Sequence, residues 1–456
     1  MCSLSVRAPW DCFWPTNALA IFPRTLEILD MAGLVGPFLE TANHVTAVTV
    51  VAHGRQLAHL SFAPEGTPYP FVAMVPQNVT EQLLLQHLKN AGGAVEYETQ
   101  FVAAVEGDTT VSAKIMQRGV PAEIETSYVV GCDGAHSAVR HLLDLAFEGG
   151  EYASTFMLAD VDTNLALPAD ELQLYPNESG PIAIFPMSAQ RRRVVAIVEK
   201  MDGESPSLAQ VQKLLDERAP KGVEARALHW GSYFRIHHRQ VKQMRVGRMF
   251  IAGDAAHIHS PFGGQGMNTG LHDIWNLVWK LDLAVRGHAT ESLLDSYTAE
   301  RRPVIKNVIE TTDLLTKAMG TPSKFAQTLR DILVPALSHL TPFQHAFVNR
   351  LSGLGIDYHG SPIVEGAGKR FFDDSLRGGQ GIGSRFLLLG SNLEDDKSKA
   401  ESLQTAESLR NLLELRFGKR DDTALVRPDG YIAYSTQHRM QTALNSVRPL
   451  LDRQVH

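Results

Sequence analysis

Cysteine is almost missing from this chain. Its 456 residues include three, Cys2, Cys12 and Cys132, too few for a disulfide framework and in keeping with a reducing compartment. None lies between residues 366 and 456, so that stretch cannot run dithiol chemistry. No apolar run is long enough to span a membrane. The opening residues MCSLSVRAPWDCFWP lack the unbroken apolar core of a signal peptide, and a cytoplasmic location is the default expectation. Positive charge is not in excess: the formal net charge is −7 at pH 7, which argues against a nucleic-acid partner. Ser260 stands in no Gly-x-Ser-x-Gly elbow, so hydrolase chemistry is not expected. With 44% hydrophobic and 20% charged residues, the chain is globular and long enough for two or three domains.

The stretch that organises the rest runs from Arg245 to Gly287. Met249-Phe250-Ile251-Ala252 is a short continuous apolar run, the pattern of a buried parallel strand. Gly253-Asp254 ends it. Apolar residues then recur with helical spacing at Leu271, Ile274, Trp275, Val278, Leu281 and Val285, and Gly287 closes the helix. Between strand and helix lies Pro261-Phe262-Gly263-Gly264-Gln265-Gly266-Met267-Asn268. Its glycines permit positive φ and let backbone N–H groups approach a flat ligand, and the helix start adds partial positive charge. Asp254, at the carboxyl end of a strand, can accept hydrogen bonds from sugar-like hydroxyls in the crevice where α/β sheets bind ligands.

Elsewhere the patterns are local. Pro23 opens a short helix that Gly33 closes. Alternation from Val45 to Phe62 predicts strands. Asn78 and Glu81 have capping-box spacing at the start of a helix running to Gly92. Tyr128 to Arg140 repeats the scheme of strand, Gly/Asp turn and helix, with Ser137 as N-cap. The Arg191-Arg192-Arg193 run is expected in a solvated hairpin turn. After Gly287 the chain reads as helix from Leu293 to Arg302, a break at Pro303, then helix to about Lys317. Residues 320–365 are mixed. Further on, Phe386 to Leu389 reads as a core strand, Ser402 to Leu415 as a helix, and Leu425 to Ile432 as strand, turn, strand. His237, His238, His257 and His259 invite a metal reading, but no carboxylate ligands are evidently placed beside them, and a structural role is favoured. Tyr175, His229, Tyr233 and Arg235 are weak substrate-pocket candidates.

Three stretches together carry a family resemblance. VVGCDGAHSAVR (129–140) resembles the Asp-Gly motif of the class A flavoprotein aromatic hydroxylases. FRIHHRQVKQMRVGRMFIAGDAAHIHSPFGGQGMNTGLHDIWNLVWKL (234–281) resembles their Gly-Asp motif and flavin-ring loop. AIFPRTLEILDMAGL (20–34) and VPQNVTEQLL (75–84) resemble two further segments, and the tail with LVRPDGYIAY (425–434) is similar to the thioredoxin-like domain of the phenol-hydroxylase branch. The resemblance implies an α/β FAD-binding doubly wound fold with a β-rich substrate domain and a thioredoxin-like C-terminal domain. It places the FAD-binding domain at 1–44, 77–150 and 233–320, the substrate domain at 45–76 and 151–232, a helical connection at 321–365 and the tail at 366–456. It implies FAD as cofactor, NADPH or NADH as transient reductant, and O2 as co-substrate. In that family a flavin C4a-hydroperoxide hydroxylates a phenolic or polyketide-like ring; the cofactor carries the hard chemistry, so no catalytic residue is named.

By the same resemblance Asp254 holds the ribityl chain or pyrophosphate region. Pro261, Gly263, Gly264, Gln265, Gly266, Met267 and Asn268 lie along the isoalloxazine. Gln77 and Asp133 serve the adenosine side or the paired cofactors, and Arg24 faces the pocket. His272 stands where the family more often has Gln. A structural or dimerisation role is expected for the tail, its deletion changing assembly rather than chemistry.

One segment of the family pattern has no counterpart. The strand–Gly-x-Gly-x-x-Gly–helix–strand unit that carries the pyrophosphate does not precede Pro23, and GQGIGS (379–384) has Ser where the third glycine belongs. The expectation is weakened FAD binding and a parallel sheet short of a strand. The alternative is a flavoenzyme fold without redox activity: a cyclase, an isomerase or a partner subunit. A binding or scaffold protein is the reading from another class.

Overall fold

The computed structural model describes residues 3–6, 18–52, 54–165, 167–260, 263–320, 341–366, 368–379, 383–391, 396–418 and 421–452. The two Gly/Asp segments lie together. Strand Val129–Gly131 pairs in parallel with Met249–Ile251, Gly131 opposite Ile251, and Arg245–Val246 flanks the second strand antiparallel. A separate parallel pair joins Ser3–Val6 to Ala94–Tyr97.

An eight-stranded sheet forms the largest layer. Its strand order is His257–Ile258, Ala225–Gln240, Glu148–Thr163, Arg191–Val198, Ile182–Pro186, Glu171–Tyr175, Ala47–Ala52 and Arg55–Ser61. One face packs Met157, Val161, Ile184, Val194 and Ala196 against helix Leu208–Arg218. Arg192 and Arg193 are buried in this sheet, which corrects the solvated-turn expectation. Arg193 donates through Nε and Nη2 to both oxygens of Asp160 at 2.7 Å. A bidentate carboxylate satisfies the buried fork in a way a lysine could not.

Two long helices carry the other layer. The loop helix, Gly266–Val285, begins five residues ahead of the first apolar position in its periodic pattern. The strut helix runs unbroken from Glu291 to Gly320 with Pro303 inside, where a break was expected. Proline removes one N–H bond and crowds the preceding turn. Buried Glu300 and Arg301 before it and buried Val304 and Ile305 after it hold the helix across that point. Helix Thr341–Ser352 lies in the stretch whose own pattern is mixed and where the resemblance implies a helical connection.

The C-terminal unit has a four-stranded sheet ordered Leu413–Gly418, Phe386–Ser391, Thr423–Val426, Ile432–Thr436. Its helices are Asp396–Ala406 and Met440–Asp452. The helix expected through Leu415 stops at Ala406. Leu413, Leu415 and Phe417 alternate at period two, and pairing with Phe386–Ser391 makes them a strand. Among the described residues no helix is long and apolar enough to cross a membrane.

Candidate flavin site

The parallel register brings Asp133 and Asp254 out at the same end of one sheet, as residue spacing alone could not show. The pairing extends one step past the strands, where Ala252 N donates to Gly131 O at 3.0 Å. Arg140 then stitches the two turns: its guanidinium donates to Ala135 O at 2.7 Å and to Ala255 O at 3.0 Å. Ser137 caps the helix Ala138–Leu142, its Oγ accepting from Arg140 N. Asp133 adds a second cap, with Oδ2 accepting from Ala138 N at 2.6 Å and Val139 N at 3.3 Å. Its carboxylate is thereby fixed at the helix start, still exposed.

Gly253 turns the second strand outward at φ 58°, a conformation that costs L-residues about 1–2 kcal/mol. Gly270 of the loop helix packs against it, a Cβ on Gly270 lying 3.4 Å from Gly253 Cα. Asp254 is exposed, and no described residue hydrogen-bonds its carboxylate. Burial nevertheless raises its pKa above the ordinary value, with His257 pulling the other way. The carboxylate is thus reached by solvent while protein atoms crowd around it. Cys132, at the end of the neighbouring strand, has the same character: it is exposed, yet burial pushes its thiol up to about 12, with Asp133 and Asp273 adding to the shift.

Beneath Asp254 lies a residue that the sequence reading passed over. Asp273 is fully buried, and its Oδ2 accepts from Gly253 N at 3.1 Å and from His257 Nε2 at 2.7 Å. Its Oδ1 accepts from Arg301 Nε at 2.7 Å. Burial alone would raise this carboxyl, but Arg301 and His257 outweigh it and bring it down to about 2. An ionised acceptor makes His257 Nε2 the donor, which leaves Nδ1 buried with no hydrogen-bond partner among the described residues. His259 Nε2 is likewise buried and has no partner among them. Burial, with His257 nearby, lowers the His259 imidazole to about 4, so it is neutral at physiological pH. Among the described residues no group of His, Cys, Asp and Glu is arranged to hold a metal.

The glycine loop is held from three sides. Gly263 and Gly264 take φ of 93° and 63°. A Cβ on Gly264 would meet Ala20 and Phe22, and one on Gly263 would meet Leu351. Gln265 donates from Nε2 to Leu351 O at 2.8 Å. Gly266 has nothing within 4 Å of a Cβ position, so the helix start is open on that side. Met267 packs into an apolar cluster with Ile21 and Leu26. Asn268 is buried; its Oδ1 accepts from Phe22 N at 3.0 Å and Thr25 Oγ1 at 2.7 Å, and its Nδ2 donates to Ala20 O. Thr25 gives its proton to Asn268, so it accepts from His272 Nε2 at 3.0 Å. Burial, with Arg301 and Arg24 adding, holds the His272 pKa well below its ordinary value. Pro261 lies outside the described residues.

Two expected site residues are engaged elsewhere. Gln77 accepts from Ala18 N at 3.0 Å and donates to Glu81 at 2.9 Å. It is itself in the first turn of helix Gln77–Asn90 after Pro76, so Asn78 is not the cap. Arg24, expected at the pocket, is instead fully buried, bonded to Glu27 at 3.0 Å and to Asp429 O at 2.8 Å, with Tyr431 beneath it. Of the weak candidates, Tyr175 and Tyr233 pack in the eight-stranded sheet's core, His229 pairs with Asp162, and Arg235 faces Glu151. A cavity of about 440 Å³ adjoins the loop, lined by Gln265, Thr269, His272, Arg301, Asn349 and Leu351 among others.

These residues suit FAD. Among the described residues no group hydrogen-bonds the Asp254 carboxylate or the buried nitrogens His257 Nδ1 and His259 Nε2, and a positive-φ glycine pair leads into an open helix start. A family model described as FAD binding domain matches residues 12–312. This chain belongs to that FAD-binding family. It is 32% identical over 458 aligned residues to an aromatic compound monooxygenase of Bacillus subtilis strain 168, covering 92% of this chain and 86% of that one. It is 33% identical to the 6-methylpretetramide 4-monooxygenase of Streptomyces rimosus over 77% of this chain, spanning 65% of the relative's length. The anhydrotetracycline hydroxylase OxyS of Streptomyces rimosus superposes with a TM-score of 0.79 at 27% identity, covering 98% of this chain and 92% of that one. The chain is thus an FAD-family protein of the aromatic-monooxygenase type, and the resemblance carried by 129–140 and 234–281 is borne out.

Proposed function

We propose that this chain hydroxylates a phenolic, polyketide-like aromatic substrate, using NADPH or NADH and O2. The observation that carries the reading is that the loop helix packs Gly270 against Gly253, beside an Asp254 carboxylate that no described residue hydrogen-bonds, and is led in by the positive-φ pair Gly263–Gly264. Supporting it are relatives whose names include anhydrotetracycline and aromatic-compound monooxygenases. FAD, when bound, supplies reduction by the nicotinamide and oxygen transfer to the ring. The protein's part is to bind and orient. Asp254 would accept from a ribityl hydroxyl. The helix start at Gly266 would set N–H donors and a partial positive charge against the flavin ring. Phe22, Phe62, Phe185, Met187, Val348 and Leu351 form an apolar mass beside the loop, which keeps water from that side and suits a flat aromatic guest. His259, neutral near pH 7, would act as a hydrogen-bonding group and not as a charge.

FAD titration followed by fluorescence quenching should show binding, and the loaded protein should show phenol-stimulated NAD(P)H oxidation with label from 18O2 in the product. No binding of FAD, or binding without substrate-stimulated NAD(P)H oxidation, would overturn the oxygenase reading in favour of a non-redox role for the fold.

A further inference from the structure

Arg24, Lys280 and Arg427 are fully buried, and so are Glu27, Glu300 and Asp429. Three cations meet three carboxylates where the C-terminal unit joins the helices behind the flavin crevice. Burying charges is costly unless each is paired and hydrogen-bonded, and here the pairing is dense. The Arg427 guanidinium bridges both oxygens of Glu300, the second at 2.9 Å, and both oxygens of Asp429 at 3.0 and 2.6 Å. Lys280 Nζ donates to Glu300 Oε2 and Asn276 Oδ1 at 2.8 and 2.9 Å. Ser361 Oγ donates to Glu300 Oε1 at 2.6 Å. The Asp429 carbonyl receives Arg24. Burial opposes ionisation of Glu300, but Arg427 and Lys280 hold it well below the ordinary carboxylate range.

Glu300 and Arg301 are consecutive on the strut helix. Glu300 faces the C-terminal unit, and Arg301 holds Asp273, which in turn holds Gly253 N and His257. One turn earlier Tyr297 donates to Ile251 O at 3.0 Å, at the end of the strand that leads into Gly253. A single rigid helix therefore grips the Arg427–Tyr431 turn with one residue and the Gly253–Asp254 turn with its neighbours. Asn276 and Lys280 tie the same network to the loop helix, whose first residues form the ring-binding segment.

We infer that the C-terminal unit is a positioning part of the flavin site: the Arg427–Asp429 turn, acting through Glu300, Arg301 and Asp273, fixes the Gly253–Asp254 turn against the loop helix. Arg427 makes no contact with Asp254; it works through Glu300 of the strut helix, with Asp429 and Asn276 as a second tie to the loop helix. This goes further than a purely structural or dimerising tail. It rests on the flavin reading for its consequence, not for its geometry.

The test uses the full chain with Arg427→Lys, which keeps the charge but loses the two-sided fork, and Arg427→Gln, which loses both. Arg410→Gln, on the exposed face of the C-terminal unit, is the control. Hydrogen exchange is read on three peptides, spanning 249–256, 156–161 and 386–391, and FAD affinity by titration. Arg427→Lys should speed exchange at the Gly253 amide about tenfold, leave 156–161 and 386–391 unchanged, and weaken FAD binding. Arg427→Gln should do more of both, and if it fails to fold, Arg427→Lys decides. Exchange unchanged at Gly253 overturns the inference, as does exchange raised equally in all three peptides. Faster exchange at Gly253 with FAD affinity intact overturns the link to the flavin site. Should the parent chain bind no FAD, selective exchange at Gly253 still supports the positioning role, and only the flavin reading falls.

Discussion

Asp273 Oδ2 stands 2.7 Å from His257 Nε2 and also receives the Gly253 amide. One carboxylate on the loop helix thus sets both the tautomer of a histidine and the backbone that presents Asp254.

Asp273→Asn keeps the shape but removes the charge that balances Arg301. Breaking one side of a buried pair costs about 3–5 kcal/mol. We expect a fall of that size in unfolding free energy by urea titration. FAD affinity should fall as well, since an amide cannot accept from Gly253, His257 and Arg301 together. Half-buried Asp282→Asn, whose partner Arg286 is solvent-facing, should change stability by less than about 1 kcal/mol.

Acid should act through the same residue. The Asp273 carboxyl is brought down from 3.8 to about 2, and Glu300 is also lowered. Groups whose pKa is lower in the folded state bind fewer protons there than in the unfolded chain. Their contribution is complete above about pH 5 and is lost as pH falls toward 2. Urea midpoints measured from pH 5 to pH 2.5 should drop in that window, and the drop should be shallower in Asp273→Asn.

Asp160→Ala removes the counter-charge of Arg193 inside the eight-stranded sheet. The expected cost is again about 3–5 kcal/mol. Asp162→Ala, two residues along and partnered by the more exposed Arg191 and His229, should cost under about 1 kcal/mol. Equal losses in the two variants, read by thermal melts, would show that the Arg193 fork is not the difference.

The legible parts of this chain were those whose signal is local. Pro23 and Gly33 bound a helix, Ser137 caps one, and Gly287 follows one, because each acts on its own backbone. The Gly/Asp turns and glycine loop could be read because strand, turn and helix are contiguous there. What escaped depends on distant partners. Arg192 and Arg193 look like surface charge until Asp160, some thirty residues earlier, lies opposite (Arg193 pairs with Asp160 in register). Arg24 follows a motif that suggests a pocket, but Asp429 and Tyr431 claim it from the far end of the sequence. Asp273 gave no signal because a helical Asp among apolar residues looks like an exposed position. Only the turn of Gly253 beneath it shows that it faces inward.

The strand His257–Ile258 pairs with Arg239 and Gln240 at the edge of the eight-stranded sheet, while Met249–Ile251, a few residues earlier, belongs to the parallel sheet with Val129–Gly131. A recombinant exchange of the β-rich layer between relatives, made at residues 151 and 232, would therefore leave a foreign sheet to accept native strands at both edges, His257–Ile258 at one and Ala47–Ala52 with Arg55–Ser61 at the other. Such chimeras should work only when residues 233–260 travel with the graft, so that the crossover point is inherited whole.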